Sequence, residues 1–121
     1  MNINNVNSQS FSGYKYHATT TVVKSWYNYY LGALPKSKRN YVAKLIEKQK
    51  SNPHDIILNY KGDDKSVQNF ATIDGTEIVK KEYESMKSFF SRLAKFADKR
   101  KNKEIITEDT KLLPFELDVI K

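Results

Sequence analysis

An α+β fold is predicted for this chain by two observations. Apolar residues recur at helical intervals in two windows before residue 50 and in one after residue 80, and the stretch between is rich in β-formers broken by turn residues. The expected architecture is a small antiparallel sheet over about residues 55–79, with residues 14–21 as an additional edge strand. Two N-terminal helices and a long C-terminal helix pack on it, because two or three short strands alone are marginal in water. At 121 residues, 39% hydrophobic and 29% charged, the composition suits one domain.

Residues 1–13 hold Asn, Ser and Gln around isolated Ile3, Val6 and Phe11, too little apolar surface to offset ordering, and are read as a flexible tail. The single domain spans 14–121. Tyr14 to Thr21 is aromatic and β-branched, which favours an extended segment. Val22, Val23, Trp26, Tyr27, Tyr30, Leu31 and Leu34 then trace one face of a helix, with Thr20 or Thr21 as cap; a strand running on through Val23 competes with it. A second helix starts at Ser37, with Tyr41, Val42, Leu45 and Ile46 on one side, and stops at Asn52-Pro53.

Asp55 to Tyr60 reads as a strand, Lys61 to Asp64 as a turn and Ser66 to Ile73 as the next strand. Asp74-Gly75 makes a two-residue hairpin into Thr76 to Val79. Asp74 with Glu77 also fits a capping box that would start the last helix instead; the hairpin is favoured. The last helix covers about 82–102, with Tyr83, Met86, Phe89, Phe90, Leu93, Phe96 and Ala97 at helical spacing. Residues 104–121 are acidic, and Phe115, Leu117 and Val119 alternate after Pro114 as a short extended segment.

The formal net charge of +7 is unevenly spread. Residues 35–52 carry six Lys/Arg against Glu47 alone, and residues 80–103 carry nine against three acids, whereas 53–79 and 104–121 each carry two bases against five acids. Clustered cations attract anionic partners; the same cations interleaved with carboxylates would largely cancel within a Debye length. Lys81, Arg92, Lys95 and Lys99 fall on one arc of the last helix, with Arg100 at its end, while Lys38, Arg39, Lys44 and Lys48 lie on the second helix. These nine residues are the candidate contacts to nucleic acid or another polyanion, whose regularly spaced phosphates suit such rows. Against that stands the plain reading of a solvated helix face.

Tyr14, Tyr16 and Tyr29 are candidate stacking residues for bases, although packing against the sheet explains Tyr29 as well. Trp26, Tyr27 and Tyr30 are assigned to the core. Leu112, Leu113 and Phe115 form a short hydrophobic segment that could dock on a partner protein or complete the core. The alternative to the polyanion reading is therefore a protein-interaction module, a small regulatory or inhibitory protein engaging a partner with an acidic surface.

Catalysis finds little support. His17 and His54 are isolated and read as surface or loop residues, with no HExxH or Cys/His pattern, so no metal or cofactor is expected. Ser85, Ser88 and Ser91 lack a nucleophile elbow. Glu77 and Lys80 are three apart, an odd spacing that turns them to opposite faces of a strand; Asp63-Asp64 is turn chemistry. There is no Cys, no long apolar run and no leader at Met1 to Ser12, which favours a cytoplasmic protein without a membrane span.

Overall fold

The computed structural model describes residues 12–63, 65–108 and 110–118. Strand β1 (Gly13–His17) leads into helix α1 (Val22–Gly32) and helix α2 (Lys36–Gln49). Strands β2 (Asp55–Asp63), β3 (Ser66–Ile73) and β4 (Thr76–Val79) follow, then helix α3 (Met86–Lys99) and strand β5 (Leu112–Pro114).

The strands form one sheet in the order β4-β3-β2-β1-β5. It is mixed, which corrects the expectation of an antiparallel sheet: β1 runs parallel to β2, with Tyr14 opposite Ile56, and the other neighbours are antiparallel. A parallel pair needs a long crossover, and α1 and α2 supply it. β1 is an interior strand of five residues rather than an edge strand over 14–21, because β5 adds outside it with Tyr16 opposite Leu113. Gly13, read as part of the tail, opens β1. Its φ is +101°, and a Cβ there would come 2.8 Å from the Gln49 carbonyl, so glycine lets the strand start pass under the end of α2. Residues 1–11 of the predicted tail lie outside the described residues.

The Asp74-Gly75 hairpin is borne out. Ile73 faces Thr76 across it, and both turn residues have positive φ, 50° and 81°, as a type I′ turn requires. The preceding hairpin is longer than predicted: β2 continues to Asp63, and Asp63 Oδ1 accepts from the Lys65 and Ser66 amides. α2 begins at Lys36, with Pro35 at its N-cap two residues before Ser37, where the cap is expected from the sequence. α3 is shorter than the predicted 82–102. Ser85 caps it by accepting from the Ser88 amide at 3.1 Å, which fixes its start at Met86 and leaves Lys81 and Tyr83 in the loop before it.

Alternation along the strands turns Tyr14, Tyr16, Ile56, Leu58, Ala71, Ile73 and Ile78 toward the helices. They meet Val23, Tyr27 and Leu31 of α1, Val42 and Ile46 of α2, and Phe89, Phe90, Leu93 and Ala97 of α3. The aromatic core is keyed by hydroxyls: Tyr14 Oη donates to the Phe90 carbonyl at 2.8 Å and Tyr27 Oη to the Asn59 carbonyl at 2.6 Å. Burial holds both phenols well above the ordinary tyrosine range. Phe115 and Leu117 close this core after β5, and Asn28, itself buried, ties that segment to α1 through the Glu116 carbonyl and the Asp118 amide.

Candidate anion-binding surface

The cations separate into two groups according to what lies within reach. Among the described residues all three arginines of the sequence are engaged inside the molecule. Arg92 forks onto Glu84 at 2.7 and 2.8 Å and donates to the Val79 carbonyl. Arg100 donates to Asp74 Oδ2 at 2.7 Å and to the Glu104 carbonyl, and Arg39 caps the Leu34 carbonyl. Lys15, Lys24, Lys50 and Lys61 are likewise paired, with Asp55, Asp118, Glu47 and Glu116, and Glu77 respectively.

Asp74 is the hub of one such set. Its side chain is 3% exposed, it faces His54 Nδ1 at 2.8 Å as well as Arg100, and its second oxygen accepts the Ile106 amide at 3.1 Å. Burial opposes its ionisation, yet Arg100, the Ile106 amide and His54 together hold its carboxyl below the ordinary range. His54, expected at the surface, is wholly buried at the end of the core. His17 reaches Thr110 at 3.0 Å and Glu108 at 3.5 Å, on the segment that leads from α3 to β5.

The remaining group consists of lysines. Lys38, Lys44 and Lys48 of α2 and Lys95 and Lys99 of α3 are exposed, and none is in an ion pair among the described residues. Tyr41 Oη accepts from Ser91 Oγ at 3.2 Å, and Gln49 donates to Asp98 at 3.1 Å, so α2 and α3 lie side by side and run the same way. At 100° per residue Lys44 falls opposite the core-facing Val42 and Ile46, and Lys95 and Lys99 fall opposite Leu93 and Ala97. Lys44, Lys48, Lys95 and Lys99 therefore project from the outer faces of the two helices, Lys95 and Lys99 beside the cleft that α3 forms with Glu77, Ile78 and Val79 of β4, whereas Lys38, one turn before Val42, lies on the core-facing stripe at the exposed start of α2. Lys87 holds its ammonium 4.5 Å from the Tyr41 ring centroid, in the seam between them.

The nine residues singled out in the sequence are thus divided by the fold. Lys44, Lys48, Lys95 and Lys99 stand on outer faces of the paired helices and Lys38 at the exposed start of α2; Arg39, Arg92 and Arg100 turn to internal partners; Lys81 sits on the loop before α3, where its amide donates to Glu84. Phe115 is 1% exposed in the core, and Leu112 and Leu113 are half-buried in β5. Tyr14 and Tyr16 are core residues, while Tyr29, expected against the sheet, is 72% exposed. Sequence patterning passed over Lys87, which lies off the cationic arc, and the exposed edge of Tyr30, 40% open to solvent.

Ser85 caps α3, Ser91 meets Tyr41 and Glu77 pairs with Lys61. Among the described residues no three His, Cys, Asp or Glu side chains gather as a metal site, and no helix is long and apolar enough to cross a membrane. Comparison with protein-family models, with curated proteins and with solved structures finds no match for this chain.

Proposed function

We propose that this chain is a non-enzymatic binding protein that engages nucleic acid through the lysines of α2 and α3, in the cytoplasmic setting that its cysteine-free sequence favours. One observation carries the reading: the arginines are consumed by internal partners while Lys38, Lys44, Lys48, Lys95 and Lys99, exposed on two adjacent parallel helices, are in no ion pair among the described residues. Packed helices lie about 8–10 Å apart, close to the Debye length of about 8 Å at physiological ionic strength, so the fields of the two helices overlap in part and one extended polyanion can reach both. A lysine is a point charge that neutralises phosphate without the planar fork that reads base edges. The recognition is accordingly independent of sequence.

The test is the salt dependence of oligonucleotide binding. With about five phosphates neutralised, affinity should fall between about 100-fold and about 500-fold from about 50 mM to about 200 mM salt. Changing Lys44, Lys48, Lys95 and Lys99 together to Glu should abolish binding and leave the circular dichroism unchanged. Affinity that ignores salt, or survives those four changes, refutes the reading.

A further inference from the structure

A groove of about 530 Å³ opens where the end of α1 faces the β2–β3 hairpin and the start of α3. Trp26 and Tyr30 form one wall, Val67 and Asn69 the floor, and Lys65 and Lys80 the rim. The wall is rigid. Trp26 stacks on Tyr60 with centroids 4.5 Å apart, receives Tyr30 edge-on at 4.9 Å, and donates its indole N–H to Asn69 Oδ1 at 2.6 Å. Tyr30 is braced in turn by Tyr29, edge-on at 5.0 Å. These rings need no ordering before a flat ligand arrives, which removes a usual cost of binding.

Charge identifies that ligand further. Among the described residues neither Lys65 nor Lys80 is in an ion pair, and the carboxylate on the lining, Glu84, is already neutralised by the Arg92 fork. Leu34 and Met86 at the groove's margin are followed along the chain by Pro35-Lys36 and by Lys87, where the lysine face of α2 and α3 begins. Aromatic wall, cationic rim and a bordering lysine surface suit a base with phosphates on either side.

We infer that the groove holds an unstacked base of a single-stranded nucleic acid, laid alongside Trp26 and Tyr30 with its flanking phosphate at Lys65 and Lys80. This rests on the nucleic-acid reading above and adds what that reading lacks, a means of telling single strands from duplexes. Bases in a duplex are stacked on each other and cannot enter. Every base offers a π-face, so the preference is for strandedness and not for sequence.

Trp26 is the sole tryptophan of the chain, so its fluorescence reports on the groove alone. The full chain is titrated with a thymidine oligonucleotide of about twelve nucleotides, an abasic strand of equal length and charge, a duplex, and thymidine monophosphate. The thymidine strand should quench Trp26 and bind about tenfold tighter than the abasic strand. Tyr30→Ala should shrink that difference several-fold, and Lys80→Gln should weaken the thymidine strand about threefold; circular dichroism verifies both folds. Equal affinity for base-bearing and abasic strands without quenching overturns the groove and leaves the lysine face standing. So does a duplex that binds as tightly as the single strand, and quenching by the monophosphate at the strand's own concentration overturns the strand as occupant. Quenching that persists in the fourfold Lys→Glu variant at undiminished affinity supports the groove and refutes the lysine face instead.

Discussion

Replacing Asp74 by Asn isolates what this carboxylate contributes, because Asn accepts the left-handed backbone of the turn, φ 50°, as readily as Asp does. The variant retains an acceptor for the Ile106 amide but loses the charge that faces Arg100 Nε at 2.7 Å and His54 Nδ1 at 2.8 Å. With side-chain exposures of 3% for Asp74 and 29% for Arg100, the pair is intermediate in burial. Exposed ion pairs contribute about 0–1 kcal/mol and breaking a buried one costs about 3–5 kcal/mol, which brackets this one near 2 kcal/mol. Weakening the contact to His54 adds about 1 kcal/mol, for a total of about 3 kcal/mol. At the usual unfolding entropy per residue, a chain of 121 residues then loses about 12 °C in Tm. Urea and thermal unfolding followed at Trp26 and by circular dichroism measure it, with Asp63→Asn as the exposed-turn control. The double variant with Arg100→Gln should show a coupling of about 2 kcal/mol. A cost for Asp74→Asn within about 0.5 kcal/mol of zero, or strict additivity with Arg100→Gln, would refute the hub.

Acid should destabilise the protein in a defined direction. Arg92, against a smaller burial penalty, holds Glu84 below the ordinary carboxylate range, and Asp74 is depressed despite its burial. As pH falls, the unfolded chain takes up these protons first, so their stabilisation is complete above the unfolded value of about 4 and is lost as pH falls through the folded values. Urea midpoints should drop along that limb, and Arg92→Gln with Arg100→Gln should flatten it; an unchanged limb would contradict the assignment. Phe115→Ala removes a 1%-exposed ring that lies 6.3 Å from both Tyr27 and Phe90, and should cost about 3–5 kcal/mol in a urea titration. A loss below about 1 kcal/mol would mean that the C-terminal segment is only loosely docked.

Elements whose signal is local were legible. The i, i+4 stripe of α1, the apolar face of α3 and the Asp74-Gly75 turn each depend on neighbours a few residues apart, and each forms where it was expected. The ends of α3 were not legible, because apolar spacing ran past the Ser85 cap and Tyr83 continued the stripe while lying 94% exposed. His54 shows the same limit: nothing adjacent to it in sequence announces burial, since its partner Asp74 is twenty residues on and Arg100 lies on another element. The Trp26 groove depends on residues from α1, β3 and the loop before α3, so no single window contained it.

Composition and periodicity by themselves determined that this chain makes an α+β fold with three amphipathic helices, and that its cations are concentrated in the segments around the second and third of them. Only the tertiary structure decided that β1 pairs parallel to β2 inside the sheet, that β5 closes its edge, and which cations are left over. The physical reason is range. Helical and turn propensities act across a few bonds, whereas strand pairing and ion pairing act between groups brought together from distant positions. An arginine on a basic helix therefore reads like any other surface charge until the fold sets Glu84 or Asp74 beside it.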